Sequence, residues 1–241
     1  MSLSQLKAKY VDSILGIFLA LIGPFLIMSA ILLVFGIIFK IGIKDFPLFL
    51  LSGIFPWMFF SAALYEATFS IINQKNILHQ FNLPIEALPL SSTLSHFFNF
   101  LIGWIIAYLI FLFFNPKIIL QLPSLIAVLL LNFMFTSGLG MILSVINVFF
   151  RDIGQLLGIL LTLWFWMTPV FYSIDMVPTQ FRWICYLNPM TPYIHFYREV
   201  ILKGQPPSIF IWLSVSAWAL LSVVLGILTF GALESRLLKR I

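Results

Sequence analysis

Few side chains in this sequence could do chemistry, and they stand far apart. The histidines are His79, His96 and His195, and the single cysteine is Cys185. Scattered in this way they offer no metal-ligand spacing, so no metal site is expected. A lone cysteine closes no internal disulfide, and Cys185 reads as an inert small residue rather than a reactive thiol. The pattern Gly-x-x-x-x-Gly-Lys-Ser/Thr is absent, so no P-loop is available to hold a nucleoside triphosphate. Neither His-Glu-x-x-His nor Gly-x-Ser-x-Gly occurs. A proton relay within a membrane needs acids at membrane depth. Glu66 is the best candidate, and a hydrated acid near the end of an apolar run is the simpler reading. His96 could titrate or could serve as a hydrogen-bonding group between helices. The adjacent pair Arg151-Asp152 most simply anchors a tight turn at lipid headgroups. None of this drives a reaction, so a transporter built on this chain takes its energy from a partner.

The elements that must position these groups follow from composition. Hydrophobic residues make up 62% of the 241 residues and charged residues 9%, whereas a soluble domain is about a quarter charged. That excludes a cytosolic enzyme, a secreted disulfide scaffold and a disordered chain, and indicates a polytopic membrane protein. The net charge of +5 is dispersed, which suits contact with anionic lipid headgroups and not with nucleic acid. Six stretches of at least 20 residues carry no Asp, Glu, Lys or Arg: 13–39, 46–65, 87–116, 118–150, 153–174 and 204–233. A helix of about 20 apolar residues crosses the hydrocarbon core, and lipid leaves no alternative for a backbone without a closed barrel. The runs are apolar all round and do not alternate as barrel strands do. The first run is too long for a signal-peptide core and has no small-residue cleavage site after it, so it is expected as a retained span. Six spans put both termini on one side, and Lys7, Lys9, Arg236, Lys239 and Arg240 place that side in the cytoplasm. Lys75 and Arg151 then fall inside as well, while Lys40, Lys44 and Lys117 fall outside, against the bias.

Three segments are not spans. Within residues 1–15, Leu3, Leu6, Tyr10, Val11 and Ile14 form a stripe on a basic segment, which fits an interfacial helix, with a frayed tail as the alternative. Between spans two and three, residues 73–83 place Ile77, Leu78 and Phe81 on one face of a short helix, with Lys75, Asn76 and Gln80 largely elsewhere, before Pro84 and Pro89 redirect the chain. Such a helix offers a knob for a groove on another protein, or lies on its own membrane domain. Residues 175–203 are mostly apolar and aromatic although they should face outward. Thr191 suits an N-cap and Pro192 the first helical position. Tyr193, Ile194, Tyr197, Val200 and Ile201 form a stripe opposed by His195, Arg198, Glu199 and Lys203, and Gly204 can end the helix. A second short amphipathic helix over 178–187 holds Arg182, Trp183 and Tyr186, and Asn188-Pro189 begins the turn between the two. The pair is expected as a re-entrant hairpin or as a flat interfacial lid.

Small residues at Gly154 and Gly158, and at Ser137, Gly138 and Gly140, allow helices to approach closely. Aromatics cluster in Pro56-Trp-Met-Phe-Phe60 and in Trp164-Phe-Trp-Met-Thr-Pro-Val-Phe-Tyr172. They read as interfacial belts or as a pore lined by flat rings that pass the C–H faces of sugars, with Trp57, Phe60, Trp164, Trp166, Phe171 and Tyr172 as candidate lining.

Taken in order, Tyr10-Val-Asp-Ser-Ile-Leu-Gly16 with Pro24, Gly53-Ile-Phe-Pro-Trp-Met-Phe-Phe60, Asn76-Ile-Leu with Leu83-Pro-Ile-Glu-Ala-Leu-Pro89, Asn147-Val-Phe-Phe-Arg-Asp152, Thr168-Pro-Val-Phe-Tyr172 and Leu187-Asn-Pro-Met-Thr-Pro192 resemble the permease subunit of bacterial ABC-2 type polysaccharide exporters. The resemblance runs over nearly the whole chain and implies an all-α polytopic membrane protein of the bacterial inner membrane. Its parts would be six transmembrane helices, an N-terminal interfacial helix, a cytoplasmic coupling helix and a re-entrant external helix pair before the last span, all in one transmembrane domain over 1–241. It also implies a homodimer that works with two copies of an ATPase subunit on a lipid-linked polysaccharide such as O-antigen, as in lipopolysaccharide biosynthesis. ATP and Mg would be held by the ATPase, with no cofactor on this chain and no enzymatic activity of its own. Coupling would fall on Lys75, Asn76, Ile77, Leu78, His79, Gln80 and Phe81. An external gate would involve Arg182, Trp183, Asn188, Pro189, Tyr193, Tyr197 and Arg198, and the cytoplasmic turn Arg151 and Asp152. An ABC-2 permease for a drug or lipid, and a stand-alone channel or scramblase, remain the alternatives; a membrane glycan enzyme is disfavoured for want of paired acids.

Overall fold

The computed structural model describes residues 26–75, 84–238 and 240. The expected interfacial helix and the coupling residues from Asn76 to Phe81 lie outside them; of the coupling set only Lys75, which is exposed, is described. The described residues are helical, with no strand among them. In chain order the helices are α1 (Leu26–Ile38), α2 (Phe46–Asn73), α3 (Ala87–Phe114), α4 (Leu122–Phe149), α5 (Asp152–Met167), α6 (Arg182–Leu187), α7 (Met190–Arg198) and α8 (Ile209–Leu238). A 3-10 segment, Pro116–Gln121, leads into α4, and a π turn, Glu199–Lys203, extends α7.

Among the described residues, four helices are long and apolar enough to cross a membrane: Phe46–Asn73, Ala87–Phe114, Pro116–Phe149 and Ile209–Leu233. They match the second, third, fourth and sixth expected spans. The first expected span is described only from Leu26, and its last turns, Leu32–Ile38, are π-helical. The fifth is shorter than expected. Its helix stops at Met167 after 16 residues, about 24 Å at the α-helical rise, against a hydrocarbon core of about 30 Å. The stop is local: Pro169 pushes the residue before it out of the helical region, and Thr168 is extended at φ −92°, ψ 133°. Residues 168–173 are therefore loop.

Charge gaps also set the end of span two too early. The helix continues past Glu66 to Asn73 because Glu66 has a partner on the next helix: His96 Nε2 lies 3.4 Å from its Oε2. His96 thus takes the interhelical role. Hydroxyls in the apolar interior bond back to their own helices. Thr68 donates to Leu64 O at 2.7 Å, Thr93 to Pro89 O at 2.9 Å and Thr136 to Asn132 O at 2.8 Å, which satisfies a donor that neither lipid nor core could serve.

The core is built around α2, whose rings interleave with those of α3, α4 and α5. Phe59 stacks on Phe100, Phe60 on Phe135, and Phe135 on Tyr193. Two glycines of α4 permit the closest approaches. A Cβ on Gly138 would strike the backbone of Ser222 in α8, and one on Gly140 would come within 2.8 Å of Ala67 Cβ in α2. The reciprocal contact comes from Gly226 of α8, whose Cβ would meet Gly138 O at 2.9 Å. Gly158, by contrast, has open room, with Tyr65 3.9 Å away. Gly138→Val should therefore force α4 from α8 at a cost of about 3 kcal/mol or more, lowering the melting temperature of the detergent-solubilised protein by about 10 °C. Gly158→Val should leave it unchanged.

Candidate functional site

The region richest in cross-helix polar contacts is the junction where α5 ends and the α6–α7 pair turns. Asn188 organises it. Its Oδ1 accepts from Trp164 Nε1 at 2.8 Å and from the Met190 backbone N–H at 2.9 Å. Its Nδ2 donates to Thr168 Oγ1 at 2.8 Å, and Thr168 Oγ1–H donates in turn to Trp164 O at 2.7 Å. The turn before α7 is thus tied to the last turn of α5 through one buried amide. This corrects the expected cap: the helix starts at Met190, capped through Asn188, while Thr191 Oγ1 has no hydrogen-bond partner. An Asn side chain two residues ahead of a free backbone N–H is a local cap, and here it also reaches a second helix.

A second tie follows one helical segment later. Arg198 was expected on the polar face of its helix, but it is 7% exposed. Its Nη2 donates to Val170 O at 2.7 Å, just past α5, and its guanidinium carbon sits 3.5 Å from the centre of the Phe49 ring on α2. The space is provided by Gly53, where a Cβ would meet Val170 O at 2.9 Å and Arg198 Nη2 at 3.2 Å. A planar, weakly hydrated guanidinium suits such a ring-stacked, carbonyl-bonded site better than an ammonium would. The reason for burial is visible in the helical period: position 198 follows 194 by four residues and precedes 201 by three, so it borders the buried stripe.

The stripe Tyr193, Ile194, Tyr197, Val200 and Ile201 is wholly buried. Tyr193 Oη donates to Val215 O of α8 at 2.8 Å, and Tyr197 meets Trp104 of α3 edge-on at 5.1 Å. Pro189 is half-buried in the turn. Gly204 closes the helix in the left-handed region at φ 62°, which favours glycine. α6 has a different character. Arg182 braces the preceding loop, with Nε donating to Val177 O at 2.9 Å and Nη2 to Asp175 O at 3.1 Å. Trp183, Tyr186 and Leu187 are exposed, while Cys185 is buried and free.

The six aromatic candidates separate into two groups. Trp57 and Phe60 are 5% and 0% exposed and belong to the core of the protomer. Trp57 stands edge-on to Trp164 at 6.3 Å and Phe60 edge-on to Trp164 at 5.1 Å. Their rings are spent on packing within the same chain and present no face to a passing solute. Phe171 is buried, and Trp164 is half-buried and held by Asn188. Tyr172 is half-buried, its Oη donating to Trp166 O at 3.2 Å. Trp166, by contrast, is 54% exposed, and with Leu156, Ile159, Leu160, Leu163 and Met167 it forms a continuous exposed apolar face on α5.

At the other end of α5, Arg151 and Asp152 are both exposed. The turn is fastened by Asn147, whose Oδ1 accepts from Gly154 N at 3.1 Å and whose Nδ2 donates to Thr68 O on α2 at 3.0 Å. Gly154 allows this, since a Cβ there would strike the Phe69 ring. Asn188 was among the expected gate residues and Asn147 opened one of the motifs, but the ties that these amides make at the two ends of α5 were not expected. Each reveals itself only once distant carbonyls or an indole are brought to it.

This arrangement of a helical membrane bundle, a tight α4–α5 turn and a helix pair before the last span has a family. The chain belongs to the ABC-2 type transporter family, whose model matches residues 4–202. It is similar to the O-antigen export system permease protein RfbA of Klebsiella pneumoniae, with 29% identity over 234 residues, 96% of this chain and 90% of that protein. A protein of the same name from Myxococcus xanthus is 29% identical over 234 residues, covering 96% and 89%. The polysialic acid transport protein KpsM of Escherichia coli is 24% identical over 208 residues, covering 84% and 80%.

Proposed function

We propose that the chain is the membrane permease of an ATP-driven exporter that passes a lipid-linked polysaccharide of the O-antigen kind across the bacterial inner membrane. The family assignment and the similarity to O-antigen export permeases along almost the whole chain carry this reading. Two copies face one another across the exposed side of α5, so that the conduit wall is the row from Leu156 to Met167 with Trp166 near its outer end. A wall of flat and branched apolar groups holds the C–H faces of sugars weakly and offers few hydrogen bonds, which suits a polymer that must keep moving. Both termini and the 73–83 segment lie in the cytoplasm, where that segment docks on the ATPase. The α6–α7 pair is re-entrant and gates the outer mouth. Glu66 and His96 pair with one another and are not part of a proton path.

The gate and the wall are one mechanical unit in this account. Asn188 and Arg198 join α7 to the end of α5, so a shift of α5 driven from the cytoplasmic side carries the hairpin with it. A detergent pull-down of the permease from its native host tests the assignment. A P-loop ATPase and a lipid-linked glycan are expected to co-purify, and their absence from an intact, folded preparation would remove it. The two tryptophans of α5 give a finer test. Trp166→Ala should cut surface polymer while leaving the melting temperature unchanged. Trp164→Ala, which leaves Asn188 Oδ1 one donor short and a hole beside Phe60, should lower stability by about 3 kcal/mol.

A further inference from the structure

At the end of the bundle away from Arg151, the start of α2, the end of α3 and the end of the α7 segment enclose a cavity of about 540 Å³. Lys44 and Lys203 stand on its rim, Asn115 lies between them, and Leu48, Phe111 and Phe114 form its apolar wall. Lys117, exposed, stands near the Asn115 side of it: a Cβ on Gly204 would lie 3.0 Å from Lys117 Cβ and 3.1 Å from Asn115 Nδ2. The carboxylates nearby are Asp45, in the lining, and Glu199, whose Oε1 holds Lys203 Nζ at 2.6 Å. The Asn115 amide is directed at the Ile201 and Leu202 carbonyls, at 3.4 and 3.3 Å, which fixes the floor of the cavity. At its edge, Phe114 stands edge-on to Phe113 at 5.4 Å, with both rings exposed.

We propose that this cavity is a binding site for the phosphate of an anionic membrane lipid. Its lining sets two ammonium groups, Lys44 and Lys203, against one carboxylate, Asp45, beside an apolar wall, and helix ends place it where headgroup would meet acyl chain. Lys44 Nζ and the donors that Lys203 does not spend on Glu199 take the phosphate oxygens. The acyl chains run down the bundle past Phe111 and Phe114. A free anion would use the rim and gain nothing from the wall, so the amphiphile is the better complement. On the proposed orientation, the site also accounts for Lys44, which sits where loops of spanning proteins carry few positive charges. The assignment depends on neither an ATPase nor export.

The test is native mass spectrometry of the full chain, purified in detergent and offered phosphatidylglycerol, phosphatidylcholine or inorganic phosphate. The wild type should retain phosphatidylglycerol over phosphatidylcholine by about tenfold, equivalent to about 1.4 kcal/mol. The double variant K44Q/K203Q should bring the two lipids to near parity, and inorganic phosphate should not displace the bound lipid. Should the double variant fail to fold, the single Lys44→Gln, at an exposed loop residue, should reduce the preference severalfold. Equal retention of the two lipids by the wild type, or a preference untouched by Lys44→Gln, overturns the proposal. Displacement by inorganic phosphate does so too, since it defines a site for the free anion.

Discussion

Replacing Asn188 with alanine should reduce surface polymer at least about tenfold while the permease still assembles with its ATPase. The substitution leaves the Trp164 indole N–H and the Met190 backbone N–H without an acceptor and takes the amide donor from Thr168. Each unsatisfied buried group costs about 1–3 kcal/mol, and about 1.4 kcal/mol already changes a two-state preference tenfold. The loss falls between the end of α5 and the turn before α7, the wall and gate of the proposed mechanism, so the bundle core around Phe60 and Phe135 should hold and the complex should still form. Asn188→Asp is the discriminating partner. It keeps an oxygen for Trp164 and Met190, loses the donor to Thr168 and carries the cost of a buried carboxyl, so export should fall below wild type. Quantitative blotting of surface polymer, alongside co-purified ATPase, reads both effects. Equal export by wild type and Asn188→Ala would show that the junction transmits nothing.

The second large effect is expected at the cytoplasmic side. Deleting Asn76 to Gln80, between α2 and α3, should abolish co-purification of the ATPase, because the apolar pair Ile77 and Leu78, expected from the sequence to dock there, is then lost. The membrane bundle should remain folded, since α2 and α3 pack through Phe59, Phe97 and Phe100 far from the cut. Retention of the ATPase at wild-type yield sinks the docking assignment and leaves the membrane fold untouched.

Much of the bundle was legible because charge is so sparse. The gap 87–116 became α3 over Ala87–Phe114, and 118–150 became Pro116–Phe149 with its 3-10 entry. A charge gap fails where a charge finds a partner inside, as Glu66 does on His96, and where backbone chemistry ends a helix ahead of the next charge, as Pro169 does to α5. The stripe on α7 was read correctly from its period, yet Arg198 was placed on the wrong side of it. Helical position alone puts 198 at the border of the stripe, and only the ring of Phe49 and the gap at Gly53 decide that a guanidinium goes inward. The same holds for the aromatics. Residue type marked Trp57, Phe60 and Trp166 alike, whereas exposure depends on which neighbour each ring meets. Asn188 was among the expected gate residues, but the contacts of the asparagines at the two ends of α5 were the least legible of all, because their partners lie 79 residues away for Asn147 and 24 for Asn188.

The most direct test of the account places the purified chain in liposomes preloaded on the outer side with a lipid-linked glycan, with and without its P-loop ATPase, and follows protection of the glycan from an external glycosidase. The account predicts protection only when the ATPase and ATP are both present. Transfer of the glycan by the chain alone, at a rate unchanged by ATP, would contradict it.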